Sequence, residues 1–469
     1  MAQSKEIKTQ PGIVAGLDIG TTKIAAVIGF KNSDGKIDVL GYGKGESTGV
    51  QHGLIFNLIR TVDGINVAKN MAYTRSNQEF SSVYAGVAGR HINSLEFKHA
   101  ITRRNGKDEI IRQEEIDKMV EDLENISVRP GEEIITVIPQ RFAIDGIQET
   151  IEPVGCVGEL LMGYFQIITG NEAEIKKIFR CINDADLIVN DIILEPIASA
   201  MVCLTQEEKQ QGVVLVDIGG GTTDIVIYLD GNPVFTKVIP IGGSIITKDI
   251  ANVCQIPEDM AEKLKVSYGT CVVERSNKNN FITIPQFHES APKQISETFL
   301  AEIIYSRVQM DILTQIKKVI AESGFEKKIL AGVVLTGGGS SLRHLKDLCQ
   351  FTLGKNTRIG FPNIGMVNSI PSELQQPMYA TALGLLKYGI IKEETNETEG
   401  RKQKAEGGKQ KVAAPLADVG RKQKAEGRKK NVAASPADAG RKQNPNDPKK
   451  SSFWESILAF FDKMIEKTS

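Results

Sequence analysis

The sequence predicts an α/β protein of two duplicated lobes, with an α+β subdomain inserted in the first, then a disordered basic linker and a C-terminal amphipathic helix. Three observations predict it. Asp18-Ile19-Gly20-Thr21-Thr22 recurs as Asp217-Ile218-Gly219-Gly220-Gly221-Thr222-Thr223, whereas residues 89–165 resemble neither half, and the composition changes abruptly after Lys387. Two copies of one device about 200 residues apart point to duplication. A chain of 469 residues also needs two to four folding units.

The first lobe is expected over 1–88 and 166–200. It opens with IVAGLDIGTTKIAAVIGF, a strand, a tight Gly-Thr-Thr turn and a second strand, followed by the strand candidate IDVLGYG. Residues 54–73 carry helical apolar spacing despite Gly64. The insertion, 89–165, holds a charged helix candidate at Glu114–Asn125 and the strand candidates EIITVIPQRFAI and IQETIEPVG. The chain then returns to helix, strand and helix through EAEIKKIFRCINDA, DLIVNDIIL and EPIASAMVCL. The second lobe is expected over 201–390, with a smaller part at about 255–328. It repeats the opening hairpin and ends in VVLTGGGS followed by a helix, SLRHLKDLCQF.

Residues 391–450 contain no aromatic side chain, and 401–450 hold 15 Lys/Arg against 5 Asp/Glu. GRKQKAEG stands at 400–407 and 420–427, and GRKQ again at 440–443. Repeats this polar cannot bury a core, so the stretch reads as a disordered spacer. A polybasic strip drawn to anionic lipid is the second reading. In 451–469 the apolar residues Phe453, Trp454, Ile457, Leu458, Phe460, Phe461, Met464 and Ile465 form one helical stripe. Ser452 and Glu455 give it a capping box. Partial insertion of eight such groups is worth several kcal/mol, a reversible attachment to a membrane surface. Docking of this helix on its own globular body is the competing reading.

The net charge of −1 gives no global attraction for nucleic acid. Six cysteines, none in C-x-x-C spacing, suit a reducing compartment. The polar start MAQSKEIKTQPG lacks the apolar core of a secretory signal, and no uncharged apolar run reaches the ~18–20 residues of a membrane span. The expectation is a cytoplasmic protein laid on a membrane from inside.

The chemistry lies in the glycine-rich turns. Phosphates need backbone N–H donors unobstructed by side chains, and two facing Gly/Thr hairpins make a clamp. Gly20, Thr21, Thr22 and Lys23 form one jaw; Gly219, Gly220, Gly221, Thr222 and Thr223 form the other. Asp18 and Asp217 suit a hydrated Mg²⁺, which keeps its waters and takes few carboxylates. Aspartate is disfavoured in strands, so its presence in both needs a reason. Gly337, Gly338, Gly339 and Ser340 would let a base and ribose lie against bare backbone. The pattern is neither a P-loop nor a dinucleotide fingerprint.

These motifs, in this order and over residues 13–390, resemble the actin superfamily, which also includes sugar kinases and DnaK-type chaperones. The hairpins are similar to its two phosphate motifs, LTGGGS to its adenosine motif, and Glu195-Pro196-Ile197-Ala198-Ser199 and Ala380-Thr381-Ala382-Leu383-Gly384 to its two connecting motifs. The resemblance implies an actin-like, ribonuclease H-like fold with ATP and Mg²⁺ as cofactors. It places Glu195 where relatives orient the attacking water, and Glu262 and Lys265 where they bond the nucleoside; Arg343 is counted with the cofactor-binding residues. Glu195 also reads as a residue ahead of a helix-starting proline, and Glu262 with Lys265 as a solvated helical pair.

Within the superfamily, the insertion at 89–165 and the terminal helix resemble the FtsA-type cell-division proteins. That resemblance implies a filament-forming ATP-binding protein at the cytoplasmic side of the inner membrane at the septum. Its partners would be the C-terminal peptide of FtsZ, further copies of itself, anionic lipids and other division proteins, with at most slow ATP hydrolysis. The basic 20-residue repeats depart from that pattern. The rival readings are a small-molecule kinase and a PilM-like pilus adaptor.

Overall fold

The computed structural model describes residues 12–103, 109–284 and 293–410. The eight apolar residues of the expected terminal helix, with most of the basic spacer, lie outside them.

The duplication is visible in strand order. The first sheet runs Ile37–Glu46, Lys23–Lys31, Val14–Ile19, Ser82–Val87, Ile188–Leu194. The second runs Asn232–Ile239, Thr223–Leu229, Val213–Ile218, Gly332–Thr336, Thr357–Ile359. In each, three antiparallel strands are followed by two parallel ones. Val14–Ile19 and Val213–Ile218 are buried along their whole length, as strands covered on both faces must be. Alternation divides the second: Val213 and Leu215 join the core of the first lobe, Val214 and Val216 that of the second.

Each sheet ends in a helix that joins the lobes. Glu195–Cys203 follows the last strand of the first sheet, with Pro196 in its first turn. Ala380–Gln410 closes the second lobe. The two helices cross so closely that a Cβ at Gly384 would stand 2.0 Å from the Ala198 carbonyl oxygen. The same helix lies on the first strand, where a Cβ at Gly16 would meet Leu386 N at 2.7 Å. Tyr84 and Tyr388 hold it to the first lobe through Glu393 and Asp191 at 2.9 and 2.6 Å. It runs to Gln410, so the first twenty residues read as spacer are helical.

The helix Leu58–Ser76 begins at an Asn57 cap and lies on strand Ile37–Glu46. Gly41, Gly43 and Gly45 all face it, and a Cβ at Gly43 would be 1.9 Å from the Ala68 carbonyl.

The insertion is a four-stranded sheet ordered Asn93–Thr102, Leu160–Asn171, Glu132–Ile144, Gln148–Thr150, backed by helix Gln113–Glu124. Of IQETIEPVG, only Gln148–Thr150 is strand. The sheet continues to Asn171, six residues past the expected boundary, and Asn171 then caps helix Glu172–Asp184. Buried Arg103 ties the insertion together, pairing with Glu115 at 2.6 Å and donating to the Gly158 and Ile110 carbonyls. Gln140 donates to the Pro233 carbonyl at 2.8 Å, so the insertion touches the second lobe.

Candidate functional site

Both hairpins close in the same way. Gly20 N donates to Lys23 O at 3.0 Å, and Gly219 N to Thr222 O at 2.9 Å. The strand registers place Asp18 opposite Ala25 and Asp217 opposite Asp224. The two turns meet directly: a Cβ at Gly220 would stand 2.2 Å from Thr22 Cγ2, and one at Gly221 would stand 2.7 Å from Thr21 Oγ1. Glycine is thus required there by the closed cleft itself as well as by any phosphate. Gly337, at φ +80°, abuts the second jaw, since its Cβ would lie 2.2 Å from Asp217 Oδ1.

Four carboxylates gather behind these turns. Asp18 pairs with Lys23 at 2.6 Å, and both are buried. Lys23 also lies 5.3 Å from the centre of the Tyr379 ring. The lysine expected to reach for phosphate is therefore engaged in an ion pair, with an aromatic face beside it. Asp217 accepts from Ser199 at 2.8 Å and from Thr381 at 3.4 Å, one hydroxyl from each connecting helix. Asp224 accepts from Thr222 at 2.9 Å, while its buried Oδ1 has no partner. Glu195 lies over Gly86, whose Cβ would be 2.8 Å from Glu195 Cγ. Thr223 does not face the cleft: its buried hydroxyl donates to Ile241 O at 2.7 Å.

Loss of hydration, helped by Asp18, pushes the Asp217 carboxyl up to about 6. Burial and the neighbouring Asp217 push Asp224 up to about 8. Glu195 is only half-buried as a residue, but its carboxyl has lost most of its hydration. That loss, with Asp18, Asp224 and Asp217 around it, holds it well above the usual carboxylate range. With one lysine against four carboxyls, ionising them all leaves an excess of negative charge, and Asp224 has an orphaned oxygen, both of which a hydrated divalent cation would satisfy. The residues fit Mg²⁺.

A pH dependence follows from these shifts. A carboxyl raised in the fold makes the native state bind protons that the unfolded chain has released, so its contribution is present at low pH and lost as pH rises through the folded value. In chelator-treated protein the melting temperature should fall as pH rises from about 4, the ordinary carboxyl value, to about 8, the folded value of Asp224. Added Mg²⁺ should raise it most at the upper end. Thermal melts at pH 5.5 and 8.5, with and without Mg²⁺, check this.

Of the residues expected to flank a nucleoside, Glu262 and Lys265 reach the second hairpin through helix Gly243–Cys254, and Arg343 lies apart from the turns. Gly243 N, at the start of helix Gly243–Cys254, donates to Gly219 O at 2.9 Å, and Lys265 donates to Gly243 O at 3.1 Å and Thr247 Oγ1 at 2.9 Å. Glu262 accepts from Thr247 and pairs with Lys265 at 2.7 Å. Arg343 Nε donates to Gly269 O at 3.0 Å, just past the helix that carries Glu262 and Lys265, and faces Glu297 at 3.5 Å. Ser340 is buried and spends its hydroxyl on Gly337 O at 2.7 Å. The triple glycine does not lead straight into a helix: Gly338–Ser341 is a 3₁₀ turn, and the helix is Leu345–Leu353, entered through a left-handed His344. Arg343 therefore belongs to a loop between the 3₁₀ turn and the helix. Cavities of about 240 and 320 Å³ lie away from the hairpins.

The sequence reading missed Thr381 as an Asp217 partner, Thr247, Tyr379 and His52. His52 Nδ1 stands 3.0 Å from Gly221 O across the cleft. No spacing rule marks such residues, because their partners are far along the chain.

The family model described as cell division protein FtsA matches residues 214–384, and that of the SHS2 domain inserted in FtsA matches 89–169. Proteins named cell division protein FtsA are similar over nearly their whole length. That of Neisseria meningitidis serogroup B is 34% identical, covering 86% of this chain and 96% of its own. That of Escherichia coli K12 is 32% identical, covering 84% and 94%. Among solved structures, the PilM–PilN type IV pilus biogenesis complex matches with TM-score 0.58 at 17% identity, over 80% of this chain and 98% of that one. MreB5 of Spiroplasma citri bound to AMPPNP matches at 0.50 and 14%, over 83% and 100%. The structural likenesses show an actin-like fold. With the inserted SHS2 domain matched at 89–169 and relatives 32–34% identical matched over 94–96% of their own length, the chain belongs to the FtsA family of cell-division proteins.

Proposed function

We propose that this chain binds ATP with Mg²⁺ between its lobes, assembles into filaments and tethers the FtsZ ring to the cytoplasmic face of the inner membrane, recruiting later division proteins. The observation that supports it most is the meeting of two like hairpins over four carboxylates and one lysine. Asp18 and Asp217 would hold the hydrated cation, and the cation would supply charge neutralisation at the phosphates. The hairpin glycines would admit the phosphates once the lobes part. Glu262, Lys265 and Arg343 would flank the nucleoside.

Glu195 would orient water, and a cation held by Asp18 and Asp217 would offset the neighbouring charges that, with burial, raise its carboxyl. Slow hydrolysis suits a scaffold, which needs a change of state more than turnover.

Membrane attachment would come from residues 451–469. No helix among the described residues is long and apolar enough to cross a membrane. A 60-residue spacer treated as a flexible coil has an r.m.s. span of about 40–45 Å, and its helical start lengthens the reach. Filaments would multiply weak insertions, since each later tail binds intramolecularly. Co-sedimentation with anionic vesicles tests the reading. The full chain should pellet with vesicles and a chain ending at Lys450 should not, while both keep the same affinity for Mg-ATP. Unchanged pelleting of the shortened chain, or no nucleotide binding by either, overturns it.

A further inference from the structure

One contact across the cleft takes no part in holding phosphate, cation or nucleoside. Between the two-residue strands Val50–Gln51 and Leu54–Ile55 the chain turns through His52 and Gly53, at φ +48° and +73°. Left-handed backbone is disfavoured for a histidine, so this turn is held in place by its surroundings. Three contacts hold it. Gly53 N donates to Thr21 Oγ1 of the first hairpin at 3.3 Å. A Cβ at Gly53 would stand 2.7 Å from Gly89 Cα, where the chain enters the inserted subdomain. His52 Nδ1 lies 3.0 Å from Gly221 O of the second hairpin, so the turn spans from one lobe to the other jaw. A carbonyl only accepts, so Nδ1 carries the proton and donates. The approach is tight on the other side as well, since a Cβ at Gly221 would meet His52 N at 2.9 Å.

We propose that the His52 turn is a latch across the mouth of the phosphate cleft, and that His52 is a positioning residue setting how fast an adenine nucleotide enters and leaves. This rests on the reading that the hairpins hold such a nucleotide. The turn is fixed to the first hairpin and to the neck of the insertion, and the imidazole closes on the second hairpin. Parting the lobes to admit a triphosphate breaks the His52–Gly221 hydrogen bond, and reclosing restores it. A bond present in both closed states and absent from the open one slows entry and exit together and leaves affinity nearly unchanged.

His52→Asn is the informative variant. Asparagine tolerates the left-handed turn, and its shorter side chain withdraws the donor from Gly221. With the full chain and fluorescent mant-ATP and mant-ADP in Mg²⁺, stopped-flow traces should show both association and dissociation about fivefold faster. That is the equivalent of the roughly 1 kcal/mol of one hydrogen bond. The dissociation constant should stay within about twofold, and the melting temperature should fall by no more than about 2 °C, the loss of one hydrogen bond from a large folded body. A purely structural role would instead lower the melting temperature by much more than this, or weaken binding without faster association. Either result, or unaltered rates in a variant that still binds, overturns the latch. If the wild-type chain itself binds neither nucleotide, the underlying reading fails instead, which is a distinct outcome.

Discussion

Alanine at Gly384 should destabilise the protein by about 3 kcal/mol or more, and nucleotide binding should be lost with the fold. Two effects oppose each other there. Alanine in a helix interior is favoured over glycine by about 0.5–1 kcal/mol through backbone entropy. Against this, the new Cβ would stand 2.0 Å from the Ala198 carbonyl oxygen and 2.3 Å from its carbon. No rotamer relieves a contact between a Cβ and a backbone group. The helices Glu195–Cys203 and Ala380–Gln410 would have to separate. Overpacking costs typically about 1–3 kcal/mol when side chains can move, and here only backbone can.

Separation would also reach the cleft, because Ser199 and Thr381, one on each helix, hold Asp217 between them. Denaturant melts of G384A against wild type measure the loss. An Ala substitution at Gly354 serves as control, since its Cβ would meet nothing within 4 Å and only its φ of +65° is strained. A G384A protein as stable as wild type would mean that the helices do not cross where this geometry puts them.

Gly384 also shows what a sequence makes legible. The two hairpins could be read because one device occurs twice and its glycines and threonines are its chemistry. The glycines of Ile37–Glu46 were readable only as strand residues, and Gly64 only as a weakness in a helix. Both follow from one fact of packing: a Cβ at Gly45 would be 2.1 Å from Gly64 O, so strand and helix touch backbone to backbone. Residues 391–410 read as spacer because they lack an apolar face. Their helix continues one nucleated in the buried segment before it, and extending an existing helix avoids the cost of nucleation. Leu345–Leu353 was placed too early because nothing in SLRH announces the left-handed His344. The Lys23–Asp18 pair, the Glu262–Lys265–Thr247 group and the His52 contact depend on how elements meet, which periodicity does not encode.

Asparagine in place of Asp217 should move stability and ligand binding in opposite directions. Asp217 is buried, its carboxyl is raised to about 6, and the first cause is loss of hydration. At pH 8 the native protein without metal therefore carries a charge that the fold disfavours. About two units above the ordinary value correspond to about 2–3 kcal/mol, since each unit is worth about 1.36 kcal/mol. The amide of Asp217→Asn would resemble the protonated acid, keep an oxygen to accept from Ser199, and remove that burden. In chelator, D217N should melt higher than wild type at pH 8, and the gap should close as pH falls toward 4, where the folded wild-type carboxyl is protonated.

The cation would lose one of its two carboxylates. Groups that hold a metal through its waters typically contribute about 10–100-fold in affinity, so Mg-ATP binding should weaken by about that factor. Titration calorimetry beside thermal melts at two pH values separates the two effects. A variant both less stable at pH 8 and undiminished in Mg-ATP affinity would show that Asp217 serves the helix junction alone. The charge cluster would then have to find its cation elsewhere, with Asp18 and the unpartnered oxygen of Asp224 the groups left to hold it.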